Sequence, residues 1–162
     1  MFFRKYENNI GIQKQQREFD MQKNEITIEE VTNLLLHWFE LVETSATAEQ
    51  RESLYLYPNS RFIMPDGTSM DFTYHEKMHT QWCDEKHECG KLYLTPLCDS
   101  PPRVRVEGTV YWEARYKGKE EIIKTVVGKS IIIERIADGS LRFVLHQNVF
   151  FHLVPGSASI NM

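Results

Sequence analysis

Arg103-Val104-Arg105-Val106-Glu107-Gly108-Thr109-Val110-Tyr111-Trp112-Glu113-Ala114-Arg115-Tyr116 is the stretch on which the fold turns. Val104, Val106, Val110, Trp112, Ala114 and Tyr116 fall on one face of an extended chain. Arg103, Arg105, Glu107, Thr109, Glu113 and Arg115 fall on the other. That period of two is the signature of a strand in a sheet buried on one side. Two further long strands follow, Ile122–Ile136 and Leu141–Val154, joined by turn chemistry at Lys117-Gly118-Lys119 and Ala137-Asp138-Gly139-Ser140. A meander with one apolar face needs a cover, and only the upstream helices can supply it.

Upstream, Thr27 with Glu30 has capping-box spacing, and Val31, Leu34, Leu35, Trp38, Phe39 and Val42 form one helical face. His37 lies opposite that face and is expected in solvent. Thr47 with Gln50 opens a short helix to about Tyr55, ended by Pro58-Asn59. Arg61-Phe62-Ile63-Met64 reads as a strand stopped by Pro65-Asp66-Gly67. Thr73 with Glu76 predicts a helix over about Tyr74–Glu88 that stops at Gly90, with Tyr74, Met78 and Trp82 as its stripe. Leu92–Leu97 reads as a brief strand. The predicted order is helix, helix, strand, helix and four strands. This is an α+β domain in which a strongly curved antiparallel sheet packs around a long N-terminal helix.

With 162 residues the chain is one domain by length. We divide it into a polar extension at 1–24, a single domain at 25–156 and a tail at 157–162. A net charge of −4 leaves too little positive charge to neutralise phosphates, which argues against nucleic acid as a partner. No apolar run reaches the roughly 20 residues of a membrane span. The start turns polar too soon for a secretory signal, and Cys83, Cys89 and Cys98 have no framework spacing. A cytoplasmic protein with reduced thiols is the expectation.

The element order, Arg61–Gly67, Gly128-Lys129-Ser130-Ile131-Ile132-Ile133-Glu134-Arg135, Asp138–Phe143 and Pro155-Gly156 together resemble the nuclear-transport-factor-2-like superfamily, in its SnoaL-like branch, over about Ile26–Gly156. The resemblance implies a cystatin-like cone with an apolar pocket at its open end and a homodimer through the outer sheet face. That superfamily holds isomerases, dehydratases and cyclases, binding modules, and small subunits of ring-hydroxylating dioxygenases, so fold alone leaves function open. The carboxylates of its steroid-isomerase-like members do not carry over. Met64 stands before Pro65 where their base would be, and Ser130 or Ile131 near the place of their acid.

Three groups of residues are candidates for chemistry. Asp71 and His75, at the start of the predicted covering helix, form a possible acid–base pair, against a loop carboxylate and a boundary histidine. Trp38, Tyr74, Met78, Trp82, Trp112, Phe143 and Gln147 are expected to line a pocket, with Gln147 as a polar anchor among core residues of the last strand. His75, His79, Cys83 and His87 recur every four residues. On a helix such a stripe drifts by about 40° per step, so it cannot wrap all four around one ion. Two neighbours among His75, His79 and Cys83 are the weak candidates to share a metal, with a third ligand from Asp71 or His146. Partly exposed polar residues without a metal are the expectation. His146 and His152 are placed on the outer face with Tyr111, Val144 and Phe150, as dimer residues. The expected function is to bind a small apolar, cyclic or aromatic molecule, with isomerase, dehydratase or cyclase chemistry and no cofactor. The competing readings are a non-catalytic dimeric binding module and a dioxygenase small subunit.

Overall fold

A computed structural model of the chain describes residues 25–160; the 1–24 extension lies outside the described residues. Helix α1, Ile28–Glu43, begins at the expected capping box, with the Glu30 amide donating to Thr27 Oγ1 (3.3 Å) and the Thr27 amide to Glu30 Oε2 (2.9 Å). Val31, Leu35, Trp38, Phe39 and Val42 are buried along it. His37 stays in solvent beside Glu40. Helix α2, Ala48–Glu52, starts at Thr47 as predicted but is shorter.

Two short strands follow, β1 at Arg61–Ile63 and β2 at Ser69–Met70, then helix α3 at Phe72–His79. The long strands are β3 (Trp82–Asp99), β4 (Pro102–Tyr116), β5 (Ile122–Arg135) and β6 (Leu141–Leu153). They form one six-stranded sheet in the order β2-β1-β6-β5-β4-β3, in which β1 runs parallel to β6 and the other pairs are antiparallel. The result is an α+β fold, a curved and unclosed sheet with its concave face against α1.

The predicted helix over Tyr74–Glu88 is corrected. Asp71, not Thr73, is its N-cap, and the helix ends at His79. From Trp82 the chain is already a strand that runs without interruption through Leu92–Leu97. Its inward positions around the change of register carry Glu85, His87 and Cys89, so polarity on both phases hides the alternation. The four-residue stripe of His75, His79, Cys83 and His87 is therefore not one stripe: two members lie on α3 and two on β3.

The strand β4 keeps the predicted faces, with Val104, Val106, Val110, Trp112 and Ala114 buried. The strand β6 does not. Ile132 pairs with Leu145 but Ile133 with Phe143, so Val144 is an extra residue, and Val149 is a second between Asn148 and Phe150. Each such bulge reverses which side faces in. His146 and Asn148 therefore face inward, and Gln147 faces out. His152 keeps its outward place and is exposed.

The core has two parts. The larger joins α1 to the sheet through Leu35, Trp38, Phe39, Val104, Val106, Ile131, Ile133 and Phe143. The smaller gathers Trp82, Trp112, Ala114, Ile123 and Val127, with Ala158 and Ile160 of the C-terminal segment packed on it. Arg135 on β5 fixes the start of α1 by donating to Glu30 Oε1 and Oε2 (both 2.8 Å). Arg51 forks onto Glu76 and ties α2 to α3.

Candidate functional site

The space between the two core parts is a cavity of about 40 Å³. At roughly 10–15 Å³ of such space per molecule it holds about three waters. Its walls are aromatic and thioether groups, among them Trp38, Phe62, Met64, Met78, Trp82 and Trp112. Its polar groups are His75 and His79 from α3, His87 from β3, Lys129 from β5, and His146 and Asn148 from β6.

Lys129 is the centre of this set. It shares the inward phase of β5 with Ile123, Thr125, Val127, Ile131 and Ile133, so the strand carries its ammonium into the core. Nζ donates to Asn148 Oδ1 (2.7 Å), meets His146 Nε2 at 3.2 Å, and lies 5.8 Å from the centre of a Trp38 ring. Among the described residues no carboxylate bonds to it. Burial without a counter-ion lowers its pKa to about 7.

The imidazoles have different supports. His146 is 2 % exposed, and its Nδ1 lies 3.4 Å from Tyr55 Oη. With Nε2 accepting from Lys129, that geometry fits the tautomer with its proton on Nδ1. Burial, then Lys129, His79 and His87, push its pKa well below the usual histidine range. His75 stacks on Phe62 at 3.7 Å between ring centres and is 5 % exposed; its Nδ1 has no partner among the described residues. Burial first, then the neighbouring His79, His146, Lys129 and Arg51, keep it neutral as well. His87 lies flat on Phe39 (4.6 Å), with Nδ1 3.1 Å from Glu43 Oε1. Burial outweighs Glu85 and Glu43 there and lowers its pKa to about 4. Glu85 is pushed up by burial but ends below its ordinary value, because His79 (3.4 Å) and the Trp112 indole N–H (3.1 Å) bond to its oxygens.

The cavity thus gathers His75, His79, His87, Trp38, Met78, Trp82 and Trp112 from the residues the sequence singled out. Asp71 is not among them: it is exposed, and its Oδ1 accepts from the Tyr74 amide (2.8 Å) as a helix cap. Tyr74 is 60 % exposed and points away. Phe143 is fully buried beneath the site, its ring 5.7 Å from that of His146. Gln147 faces out for the reason given above, and His146, placed on the outer face by strict alternation, is inside. Cys83, on β3, pairs with Arg115 of β4, and no group of three or more His, Cys, Asp or Glu positioned for a metal occurs among the described residues.

Sequence reasoning missed Lys129, His146 and Asn148. Lys129 had a signal: it sits in phase with the apolar odd positions of β5. That phase is hard to choose because Ile122-Ile123, Val126-Val127 and Ile131-Ile132-Ile133 fill both faces. His146 and Asn148 had none, since nothing local announces the extra residue at Val144.

No protein-family model matches the chain, and no curated protein matches it. Solved structures do. A scytalone-dehydratase-like protein of Novosphingobium aromaticivorans superposes with TM-score 0.65 at 9 % identity, over 78 % of this chain and 83 % of that one. The hexachlorocyclohexane dehydrochlorinase LinA-type3 of Novosphingobium barchaimii gives 0.62 at 13 %, over 83 % and 94 %. A protein of Caulobacter vibrioides with a cystatin-like fold gives 0.60 at 13 %, over 78 % and 88 %. The chain therefore has the cystatin-like α+β fold. It is the fold of the nuclear-transport-factor-2-like superfamily that the sequence resembles. At these identities the likeness is one of architecture.

Proposed function

We propose that the protein binds a small apolar molecule in the cavity and moves a proton on it, as an isomerase or lyase working without a cofactor. The observation that carries this reading is the cluster itself: an amine and two neutral imidazoles set among aromatic walls. A neutral, water-poor imidazole can accept a proton from carbon or return one to oxygen at neutral pH. His75, with a nitrogen uncommitted among the described residues, is the general base. Lys129 donates to the oxygen on which charge develops, and His146, held between Tyr55 and Lys129 with its proton on Nδ1, orients that donor through Nε2. Asp71, committed to a helix cap, has no part in it. The fold neighbours include dehydratase-like and dehydrochlorinase proteins, which supports elimination or isomerisation as the reaction class. A cyclic substrate would require Met64 and Met78 to swing aside, which unbranched thioether side chains do readily.

The test is exchange of carbon-bound hydrogen for deuterium in a small ketone such as acetone, followed by NMR in heavy water. Catalysed exchange that drops about 10²–10⁴-fold in His75→Gln and His146→Gln is the expected result. No exchange above buffer with folded protein overturns it. The narrow cavity favours a second reading, a non-catalytic module that takes up a small ligand; saturable binding without exchange would establish it. We further propose a homodimer through the outer sheet face, where Phe150 is 44 % exposed over Gly128. Light scattering on Phe150→Glu, expected to be monomeric, tests that.

A further inference from the structure

The acid–base reading uses Lys129 only as a hydrogen-bond donor, yet its surroundings are those of a reactive amine. A lysine kept purely for charge needs an anionic partner or water. Lys129 Nζ instead has two partners, Asn148 Oδ1 at 2.7 Å and His146 Nε2 at 3.2 Å, and neither is a carboxylate. The titratable groups around it are His146 on β6, His75 and His79 on α3 and His87 on β3, with Glu85 tied to His79 and Trp112. None of these neutralises the ammonium. The environment thus favours the free amine, whose lone pair is a nucleophile toward electrophilic carbon.

We propose that Lys129 captures a small aldehyde or ketone in the cavity as an imine; this rests on the cavity being the ligand site and narrows its ligand to carbonyl compounds. The Nζ lone pair adds to the carbonyl carbon, and the π pair of the C=O bond moves to oxygen. His146 Nε2 carries the two Nζ protons to that oxygen in turn: the first turns the alkoxide into a hydroxyl, and the second turns the hydroxyl into water, which leaves as the nitrogen lone pair closes the C=N bond. One carbonyl and one amine give one imine and one water, with no change of oxidation state. Tyr55 Oη, 3.4 Å from His146 Nδ1, keeps the ring facing the amine. The carbonyl oxygen of Asn148 holds Nζ at the cavity wall from the other side. A cavity of about 40 Å³ fits a carbonyl compound of the bulk of about three waters. The imine, once protonated, withdraws electrons from the adjacent carbon and makes its hydrogen acidic. That is the proton His75 is placed to remove.

The experiment is reductive trapping on the full chain. The protein is incubated with propanal and sodium cyanoborohydride between pH 6 and 9, and modified lysines are located by peptide mass spectrometry. Lys129 is expected to be propylated at least tenfold faster than any other lysine at pH 7. Intact mass should show one added group first, and His146→Gln should slow the labelling. Lys129 labelled no faster than surface lysines, in protein whose fold is verified by circular dichroism, overturns the proposal. The outcome separates from that of the exchange assay. Deuterium exchange that persists in Lys129→Met, without trapping in the wild type, removes the imine and leaves the acid–base reading standing. Trapping without exchange retains the imine and removes the proton-transfer reading.

Discussion

Two neighbouring stretches of β6 look into the same interior and obey opposite rules. Leu141 and Phe143 lie in a dry apolar layer with Ile131, Ile133 and Leu35, side chains that carry no polar atom. Three residues on, His146 and Asn148 hold a lysine amine at the wall of the cavity. Between them stands a single extra residue, Val144. The bulge brings a histidine and an asparagine to a face that strict alternation would have given to Leu145 and Gln147. It separates the half of the interior that stabilises the fold from the half that stores cost for chemistry.

The largest effect should come from the dry half. Phe143 has no exposed surface and touches the rings of Trp38, Tyr55 and His146. Phe143→Ala is expected to cost about 3–5 kcal/mol in urea unfolding, the usual range for a large aromatic in a packed core. A loss below about 1 kcal/mol would mean that this layer collapses freely and that the two halves do not differ as described.

The cavity half should show itself through pH. His87 titrates at about 4 in the fold against an ordinary 6.5, so the unfolded chain binds the proton first. Its stabilising contribution is complete above about pH 6.5 and is lost as pH falls toward 4, a change on the order of 2–3 kcal/mol. His75 and His146, also lowered by burial, add in the same direction. Thermal unfolding of His87→Gln between pH 4 and 7 should give a visibly flatter acid limb. An unchanged slope would place His87 in solvent.

Lys129 gives the opposite limb. Its folded pKa of about 7 lies below the ordinary 10.5, so the unfolded state again holds more protons, now between those values. Stability should rise with pH from about 7 toward 10. Lys129→Met should therefore raise stability at pH 7 by about 1–2 kcal/mol, since the lost bonds to His146 and Asn148 offset part of the gain. The gain should fade by about pH 10, where the wild-type amine is already neutral. A variant destabilised at every pH would mean that the ammonium is welcome where it is, and the site would then be an ordinary hydrogen-bonded one.

These contrasts follow how far the sequence was legible. The strand β4 shows its faces because it carries no extra residue: the register shifts of its pairing with β3 all fall on β3. Helix α1 shows its start because Thr27 and Glu30 cap it in reciprocal fashion. The fold class, the first helix and the apolar walls at Trp38, Met78, Trp82 and Trp112 were accessible for that reason. Of the polar half only His75, His79 and His87 were singled out, and Lys129 and the inward place of His146 and Asn148 were not. On β3 the inward residues Glu85 and His87 are as polar as the outward ones, so Trp82–Glu88 passes for the end of a helix. On β6 the two bulges leave no local mark, because Val144 and Val149 are unremarkable strand residues whose extra length shows only against the pairing partner β5. Sites built by breaking an alternation are hidden from any reasoning that relies on it.

The smallest effect is the sharpest test, because it compares adjacent residues of similar chemistry. Gln147 and Asn148 are both carboxamides on β6, one facing out and one facing the amine. Gln147→Ala should change stability by less than about 0.5 kcal/mol, as for an outward residue without a buried partner. Asn148→Ala removes the 2.7 Å acceptor of Lys129 Nζ, leaving the amine with His146 alone. It should cost about 1 kcal/mol at pH 6, where the ammonium needs that acceptor most, and less at pH 9. Equal effects at both positions, or a larger one at Gln147, would put strict alternation back in force. His146 would then lie on the outer face, and Lys129 would lose the partner on which its reactivity depends.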